Sequence, residues 1–234
     1  MPQRKYRHLF FDLDHTLWDF DANARATLEQ LHLDLHLPDR GIHDFDHFYQ
    51  CYIGHNEKLW DRYRKGYIKQ EELRLKRMWL TLLDFQVADE ALSRELSDLF
   101  LQLMPTRTLI FPDTVEVLDY LQGKGYGLHM ITNGFEQIQH TKLRVSGLSH
   151  YFQNIVTSEG SNSLKPQPEI FYYALEKAGA SVEESLMIGD NLEVDIEGAH
   201  GVGMDGVHVN FTNTPQTFQP AYTITGLKQL MDIL

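Results

Sequence analysis

Short apolar runs of strand length recur along the chain and alternate with segments whose apolar residues follow a helical period. The strand-length runs occupy residues 6–11, 126–131, 154–158, 185–188 and 206–211. Helical patterns that end in glycine occupy residues 113–125, 136–147 and 169–179. Polar or glycine-rich residues follow each apolar run, as expected for buried strands. Strands that alternate with helices predict an α/β fold in which helices cover both faces of a parallel sheet.

One long segment near the amino terminus breaks this alternation, because it has helix-length patterns and no convincing buried strand. Asp21 is placed to cap a helix whose apolar face carries Ala24, Leu28, Leu31 and Leu35. Further helical patterns occupy residues 55–65, 71–83 and 89–104. The leucines at 31, 33, 35 and 37 also alternate as in a strand, which leaves a second interpretation open there. The sequence predicts a helical domain over 17–104, inserted into a core of 1–16 and 105–234.

The charge of the chain narrows the classes of partner. Its 234 residues carry 33 acids and 21 bases, a formal net charge of −12, which argues against a nucleic-acid polymer or an anionic membrane surface as partner. A small anionic ligand in a local site is still compatible with this charge.

Cys51 is the only cysteine, and no run is long and apolar enough to span a bilayer, so a soluble, cytoplasmic protein is expected. Nothing in the sequence indicates an oligomeric state.

Charged and polar residues collect where the predicted strands end. Asp12 and Asp14 follow the first strand and Asp190 follows the run at 185–188. Because ligands of parallel sheets bind beyond the carboxyl ends of the strands, these carboxylates are expected to lie together. Two carboxylates about 4 Å apart repel each other by roughly 4 kcal/mol at an effective dielectric constant near 20. Oxygen ligands without nearby cysteine favour Mg²⁺ as the partner that relieves this repulsion.

The remaining polar signals suit a phosphoryl group. Lys165 precedes a predicted helix, and Thr132, Asn133 and Gly134 follow a strand and precede a helix start, where backbone N–H groups seat anions. A phosphate dianion, two aspartates, Mg²⁺ and one lysine sum to a charge of −1, compared with −4 without the metal and the lysine. Each signal alone also has a simpler explanation as a turn, a helix cap or a solvated lysine. Their order along the chain favours phosphoryl transfer.

Four motifs in order, FFDLDHTL, MITNG, LKP and IGDNLEVD, resemble those of the haloacid dehalogenase (HAD) superfamily of phosphohydrolases. The resemblance covers the whole chain and implies the HAD fold, a Rossmann-like parallel core with an inserted all-helical cap of the C1 type. The stretches ITNGFEQIQHTKLRVSGLSHYF, KPQPEIFYYALEKAG and LWDRYRKGYI look most like the pyrimidine 5′-nucleotidase branch. The resemblance therefore implies a Mg²⁺-dependent hydrolase of nucleoside 5′-monophosphates or other small phosphorylated metabolites.

The resemblance also implies a role for each matching residue. Asp12 would be the nucleophile that forms an aspartyl-phosphate, and Asp14 the general acid and then the general base. The groups implied to hold Mg²⁺ are the Asp12 carboxylate, the Asp14 backbone carbonyl and Asp190, with Asp195 supporting them indirectly or through water. The groups implied to hold the phosphoryl oxygens are Thr132, Asn133, Gly134 and Lys165. His15, beside the aspartate pair, departs from the family pattern and could alter the pH dependence.

Other functions are open at this point. A dehalogenase needs neither the second aspartate nor a metal, which Asp14 and Asp190 speak against. A sugar-phosphate phosphatase or a phosphomutase shares the core motifs. A phosphoryl-binding regulatory protein without catalysis would keep a complete catalytic set idle.

The predicted cap has its own candidate residues. Residues 55–79 carry eight lysines and arginines against four acids, interleaved with aromatic residues. Trp60 and Arg64 are the candidates there for contact with the substrate, and the alternative is a helical core with a solvated charged face. The histidine pairs 32/36 and 43/47 have helical spacing without a metal-binding motif, so solvated histidines are expected instead of a metal site.

Overall fold

In the computed structural model, which describes residues 5–234, one parallel sheet of six strands forms the centre of the α/β core. The strands are β1 (His8–Phe11), β2 (Gly127–Thr132), β3 (Asn154–Thr157), β4 (Ser185–Gly189), β5 (Asp205–Val209) and β6 (Tyr222–Ile224). They lie in the order β3-β2-β1-β4-β5-β6, and every neighbouring pair is parallel. The predicted α/β class is confirmed, and all five predicted strands are present. The sixth, β6, was not predicted.

Helices account for most of the remaining chain. They are α1 (Phe20–Asp34), α2 (Phe45–Arg64), α3 (Gln70–Asp84), α4 (Glu90–Leu103), α5 (Thr114–Gly123), α6 (Glu136–Val145), α7 (Ser158–Ser161), α8 (Pro168–Ala178), α9 (Gly198–Gly201) and α10 (Leu230–Ile233). A π-helical turn over Leu192–Glu197 leads directly into α9. None of the helices within residues 5–234 is long and apolar enough to cross a membrane.

A continuous hydrophobic cluster fixes the sheet against α8. Phe10, Ile131 and Met187 point to one face of the sheet, where they are fully buried with Phe171 and Ile170 of α8. The register places Phe10 beside Met187, so the aligned strands present one apolar surface to the helix. Burying such large side chains supplies most of the stabilisation of a core like this. The carboxyl ends of β1, β2 and β4 are thereby held in place.

The chain divides into two compact units, one formed by the residues up to Phe20 together with Thr108–Leu234, and the other by Asp21–Arg107. These limits lie a few residues later than the predicted cap limits of 17 and 104. Residues 17–20 belong to the first unit because their backbone pairs within it. The Asp19 amide donates to the Leu109 carbonyl at 3.2 Å, and the Phe111 amide donates to the Leu17 carbonyl at 2.9 Å.

The second unit is helical, as the sequence predicts. Asp44 caps α2 by accepting from the His47 amide at 3.0 Å, so this helix starts ten residues before the predicted segment at 55. The predicted helix is present as α1, but it begins at Phe20, so Asp21 lies in its first turn and is not its cap. The alternative strand interpretation of the leucines at 31, 33, 35 and 37 is wrong. Leu31 is buried on the helix while Leu33 is 64% exposed, which is the pattern of a helical face.

Candidate active site

The carboxyl ends of β1, β2 and β4 bring three of the predicted residues to one edge of the sheet. Asp12 directly follows β1, and its backbone N–H donates to the Ile188 carbonyl of β4 at 2.9 Å. Thr132 is the last residue of β2, and Asp190 directly follows β4. Because these three strands are neighbours in the sheet, side chains far apart in sequence converge there, as expected for an open parallel sheet.

Three carboxylates form the centre of the site. Asp12, Asp190 and Asp195 each offer one oxygen, and these oxygens all lie within 4.8 Å of one another. Among residues 5–234 no other group of three carboxylate, imidazole or thiolate ligands is this close. Like charges at this separation repel by about 3 kcal/mol or more per pair at an effective dielectric constant near 20. The cluster therefore requires positive charge nearby.

Lys165 supplies one positive charge at the base of the cluster. Its Nζ donates to Asp12 Oδ1 at 2.6 Å and to the Ile131 carbonyl at 2.7 Å, and it lies 2.7 Å from Asp195 Oδ1. The side chain is 1% exposed. Its three N–H groups thus match three acceptors inside the protein. Burial lowers the pKa of Lys165, but Asp12 and Asp195 raise it above its ordinary value, so the ammonium is retained.

The protonation of the carboxylates reflects their crowding. The pKa of Asp12 is raised to about 8, mainly by burial; Lys165 lowers it, and the charges of Asp195 and Asp190 raise it. Burial and then the charge of Asp195 raise the pKa of Asp190 to about 7. Carboxyl groups with an ordinary pKa near 4 thus resist ionisation near neutral pH. A cation bound among these carboxyl groups would favour their ionised form and lower their pKa values.

The donor set of the cluster fits a hard divalent cation. All three ligand groups are carboxylates, which suit Mg²⁺ or Ca²⁺ better than zinc. Three carboxylates and one ammonium leave two negative charges, which a divalent cation would balance. Asp14 was predicted to contribute its backbone carbonyl to this ligand set, and its carboxylate is not part of the cluster. Asp195, predicted to support the ion indirectly or through water, has one carboxylate oxygen within the cluster.

The end of β2 and the loop after it hold three of the four predicted phosphate-binding residues, Thr132, Asn133 and Gly134. The Gly134 amide donates to Thr132 Oγ1 at 3.1 Å, which leaves the Thr132 hydroxyl proton available to another acceptor. The side chain of Asn133, which was predicted to contact the phosphoryl group, bonds the backbone of Lys165 twice. Its Nδ2 donates to the Lys165 carbonyl at 2.9 Å, and its Oδ1 accepts from the Lys165 amide at 2.7 Å. Asn133 therefore fixes the loop between α7 and α8 that carries Lys165, called the lysine loop below.

Asp14 turns away from the cluster, towards α6. β1 ends at Phe11, so Asp12 and Asp14 lie beyond the strand, where residues two apart no longer have to point to the same side. The Asp14 carboxylate is 24% exposed and lies 2.5 Å from the Nζ of the buried Lys142. Gln139 Nε2 donates to its second oxygen at 2.9 Å. Both partners were absent from the predicted site.

A further residue missed by the sequence reasoning is Thr16. Its side chain is fully buried; Oγ1 accepts from the Asp190 amide at 3.0 Å and donates to Asp190 Oδ1 at 3.1 Å. His208 Nε2 lies 2.8 Å from the Asp190 carbonyl. The hydroxyl two residues after Asp14 was the sequence signal that could have identified Thr16. Asp190 is thus held from two other segments of the chain.

This arrangement can be compared with known proteins. The family model for haloacid dehalogenase-like hydrolases matches residues 6–203. The chain belongs to this family. The match includes the loops that carry all of the core residues predicted for the site, from Asp12 to Asp195.

Individual relatives extend the comparison over the whole chain. It is 32% identical to pyrimidine 5′-nucleotidase PynA of Streptococcus pneumoniae, over 98% of this chain and 95% of PynA. It is 31% identical to pyrimidine 5′-nucleotidase YjjG of Escherichia coli, over 98% of each chain. The crystal structure of HAD-hydrolase YfnB from Bacillus subtilis, bound to magnesium, superimposes with a TM-score of 0.89 at 28% identity, covering 98% of this chain and 99% of YfnB.

The cap candidates lie near the end of α2. Trp60 and Arg64 are both half-buried, and the Trp60 ring meets the Tyr63 ring edge-on at 5.7 Å. Of the histidines expected to be solvated, His32 is instead buried, and its Nε2 lies 2.7 Å from the Ile42 carbonyl. His32 is therefore a hydrogen-bonded residue of the helical core. His15 adopts a left-handed backbone conformation, with φ of 63°, and its ring packs on Phe20.

Proposed function

We propose that the protein is a Mg²⁺-dependent phosphomonoester hydrolase that acts on pyrimidine nucleoside 5′-monophosphates through an aspartyl-phosphate on Asp12. The observation that carries the proposal is the group of three carboxylate oxygens within 4.8 Å of one another, with Lys165 bridging two of them. Such a site concentrates the charges that a phosphoryl transfer needs and keeps them in fixed positions.

Asp12 is the nucleophile in this mechanism. Lys165 binds its Oδ1, which leaves Oδ2 to form a bond to phosphorus while the bond from phosphorus to the ester oxygen breaks. The nucleoside leaves, and the phosphoryl group stays on Asp12. Water then attacks the same phosphorus, and the bond to Asp12 breaks. The carboxylate is regenerated and inorganic phosphate is released.

Asp14 moves the proton in both steps. The departing ester oxygen of a nucleoside is strongly basic, so it needs a proton as it leaves, and Asp14 donates it. Asp14 is then a carboxylate and takes a proton from the attacking water. Its side chain is partly exposed, which allows a substrate oxygen or a water to reach it. One residue thus serves as acid and base in turn.

The loop after β2 and the lysine loop hold the transferred group. The Thr132 hydroxyl, whose oxygen already accepts from Gly134, is free to donate to a phosphoryl oxygen. Lys165 offers its positive charge beside Asp12, and Asn133 keeps the lysine loop in place. The groups that would hold Mg²⁺ are the carboxylates of Asp12, Asp190 and Asp195, with the Asp14 backbone carbonyl. When bound, the ion supplies positive charge against the phosphoryl oxygens and the carboxylates.

The substrate class rests on the relatives. PynA and YjjG are both named pyrimidine 5′-nucleotidases and are matched over nearly the whole chain, including the helical unit. A match that includes the inserted unit supports a shared substrate class better than a match to the core motifs, which many phosphatases have in common.

A phosphate-release screen tests this proposal. Pyrimidine and purine nucleoside monophosphates, sugar phosphates and p-nitrophenyl phosphate would be assayed with Mg²⁺ and with EDTA. We expect activity only with Mg²⁺ and the highest kcat/KM on pyrimidine nucleotides. Asp12→Asn should lower kcat by at least about a thousandfold, since it removes the nucleophile. Asp232→Asn, which changes an exposed aspartate of α10, is the matched control and should leave kcat unchanged.

The outcomes separate the parts of the proposal. Activity that survives EDTA or Asp12→Asn would overturn the mechanism. A preference for sugar phosphates would overturn only the substrate class, and formation of an isomeric phosphate ester would identify a phosphomutase. Binding of phosphate esters without turnover would indicate a regulatory protein.

A further inference from the structure

Helix α6 places a buried lysine against Asp14. Lys142 is 1% exposed, and its Nζ lies 2.5 Å from Asp14 Oδ1. The same ammonium lies over the Trp18 indole, 4.2 Å from the ring centroid, and 5.6 Å from the centroid of Phe20. Aromatic faces stabilise a cation only modestly. The ion pair with Asp14 is therefore the strongest of these three interactions of the Lys142 ammonium.

A second donor from the same helix completes the arrangement. Gln139 stands one turn before Lys142, and its Nε2 donates to Asp14 Oδ2 at 2.9 Å. Residues three apart on a helix share a face, so a single rigid element supplies one donor to each carboxylate oxygen. Gly134 makes room for this contact, because a Cβ there would lie 1.6 Å from Gln139 Nε2. The loop after β2 and α6 are thus packed together around Asp14.

A purely structural role explains this arrangement poorly. Burying an ion pair contributes little net stability, and well-packed apolar residues often serve as well. Here the lysine is buried while its partner carboxylate is 24% exposed. The exposed member is the residue proposed to meet the leaving oxygen. The lysine and the glutamine approach it from inside the protein and leave its outer side open.

We propose that Lys142, assisted by Gln139, is a positioning residue that fixes the direction of the Asp14 carboxylate for proton transfer. This inference rests on the proposed role of Asp14 as general acid and base. A carboxylate that must first face the leaving oxygen and then a water keeps its direction only when its rotation is restrained. A charged donor on one oxygen and an amide donor on the other provide that restraint through both steps.

The test compares two substrates that differ in their need for a proton. Uridine 5′-monophosphate has an alkoxide leaving group, whereas p-nitrophenolate leaves p-nitrophenyl phosphate without protonation. Because kcat/KM reports the steps up to leaving-group departure, only the nucleotide should depend on a well-placed acid. We expect Lys142→Met to lower kcat/KM for uridine monophosphate at least about tenfold more than for p-nitrophenyl phosphate. Methionine preserves the length and the contact with Trp18, so the fold is retained.

Further variants separate positioning from other effects. Lys142→Arg keeps a cationic donor and should recover part of the loss, and Gln139→Leu should shift the substrate ratio in the same direction by a smaller factor. Arg144→Met removes an exposed positive charge from the same helix and should leave both substrates unaffected. Equal losses on both substrates in Lys142→Met and Gln139→Leu would overturn the inference. Absence of turnover by the unmodified protein on either substrate would instead overturn the proposed function.

Discussion

The geometry around Asp195 depends on the absence of a side chain at Gly189. A Cβ added to this last residue of β4 would lie 2.4 Å from Asp195 Oδ2 and 2.6 Å from its Cγ. To relieve this clash, the Asp195 side chain would have to move and lose one of two contacts. These are the ion pair with Lys165 at 2.7 Å and the hydrogen bond that the Asn191 amide donates to it at 3.0 Å. The glycine therefore determines where one corner of the carboxylate cluster lies.

Gly189→Ala should therefore disturb the site without unfolding the sheet. We expect a loss of Mg²⁺ affinity of about 10- to 100-fold, the range found when groups that orient metal ligands are altered. Titration calorimetry with Mg²⁺ measures this directly. Gly201→Ala is the control, because a Cβ there meets nothing within 4 Å, and it should bind Mg²⁺ normally. Unchanged Mg²⁺ affinity in Gly189→Ala would show that Asp195 does not contribute to the ion site.

Sequence reasoning located the acidic residues better than their partners. Asp12 and Asp190 directly follow strands, and the topology of a parallel sheet brings strand ends together, so their convergence was predictable. Lys142 and Gln139 gave no such signal. The apolar positions of the helical pattern at 136–147 include Ile138 and Leu143. Ile138 is nevertheless only half-buried, whereas Gln139 and Lys142 are buried. Polar residues that pair inside a protein break the hydrophobic pattern from which burial is predicted.

Strands β1 and β2 carry a histidine pair whose protonation should affect stability. His129 is 1% exposed; its Nε2 lies 3.1 Å from His8 Nδ1, and its Nδ1 lies 3.1 Å from Asn154 Nδ2. Burial, and then the proximity of His8, lower the pKa of His129 to about 4. The unfolded chain, with a histidine pKa near 6.5, binds this proton more readily. The resulting stability is complete above pH 6.5 and is lost as the pH falls towards 4.

Substituting His129 should remove that pH dependence. Between pH 7.5 and pH 4.5 we expect the unmodified protein to lose about 2 kcal/mol of unfolding free energy more than His129→Gln does. Urea denaturation at several pH values measures the difference between the two proteins, so contributions from other groups cancel. His140→Gln changes an exposed histidine and should behave as the unmodified protein. Parallel stability curves for the protein and His129→Gln would contradict the assignment.

Among the helices and strands, those with a strong hydrophobic pattern were predicted from the sequence, and those with a weak pattern were not. Strand β6 has only three residues, Tyr222–Ile224, and only its last residue is buried, so no apolar run identified it. Helix α2 extends over twenty residues, but only its second half was predicted. Its first half contains Gly54 and a buried set of aromatic residues, Phe48, Tyr49 and Tyr52, whose helix propensity is weak. Tertiary packing determines those boundaries.

The last turns of α2 allow a prediction about substrate preference. Trp60 and Arg64 combine a half-buried aromatic ring with a cation, which suits contact with a nucleobase or a sugar. We expect Trp60→Ala and Arg64→Ala to lower kcat/KM on pyrimidine nucleotides several-fold more than on p-nitrophenyl phosphate. Lys58→Ala, an exposed residue of the same helix, should change neither. If both substitutions lowered kcat/KM equally on the two substrates, Trp60 and Arg64 would not contact the nucleoside, and their role would be structural.

For the whole molecule, the carboxylate cluster concentrates negative charge in a protein that is already acidic. The chain has a formal net charge of −12, so distant groups add to the repulsion among Asp12, Asp190 and Asp195. A raised carboxyl pKa, about 7 for Asp190, means that the folded state holds its proton more tightly than the unfolded chain. Without a metal, stability therefore falls as the pH rises from about 4 to 7, and the full penalty is present at pH 8.

Mg²⁺ should offset this loss of stability by neutralising the carboxylates. Removing one carboxylate should relieve the same repulsion without the ion. At a hundredfold excess over its dissociation constant, an ion that binds only the folded state adds about 2.7 kcal/mol. At pH 8 we therefore expect Mg²⁺ to raise the Tm of the unmodified protein by several degrees over its value in EDTA. Asp190→Asn should melt above the unmodified protein in EDTA, because the repulsion is reduced, and should respond little to Mg²⁺. Glu183→Gln, which changes an exposed acid outside the site, should keep the full response. A lower Tm for Asp190→Asn in EDTA would show that the cluster is not strained by its charges, and that Thr16, which bonds Asp190 twice, stabilises the ionised carboxylate without a metal.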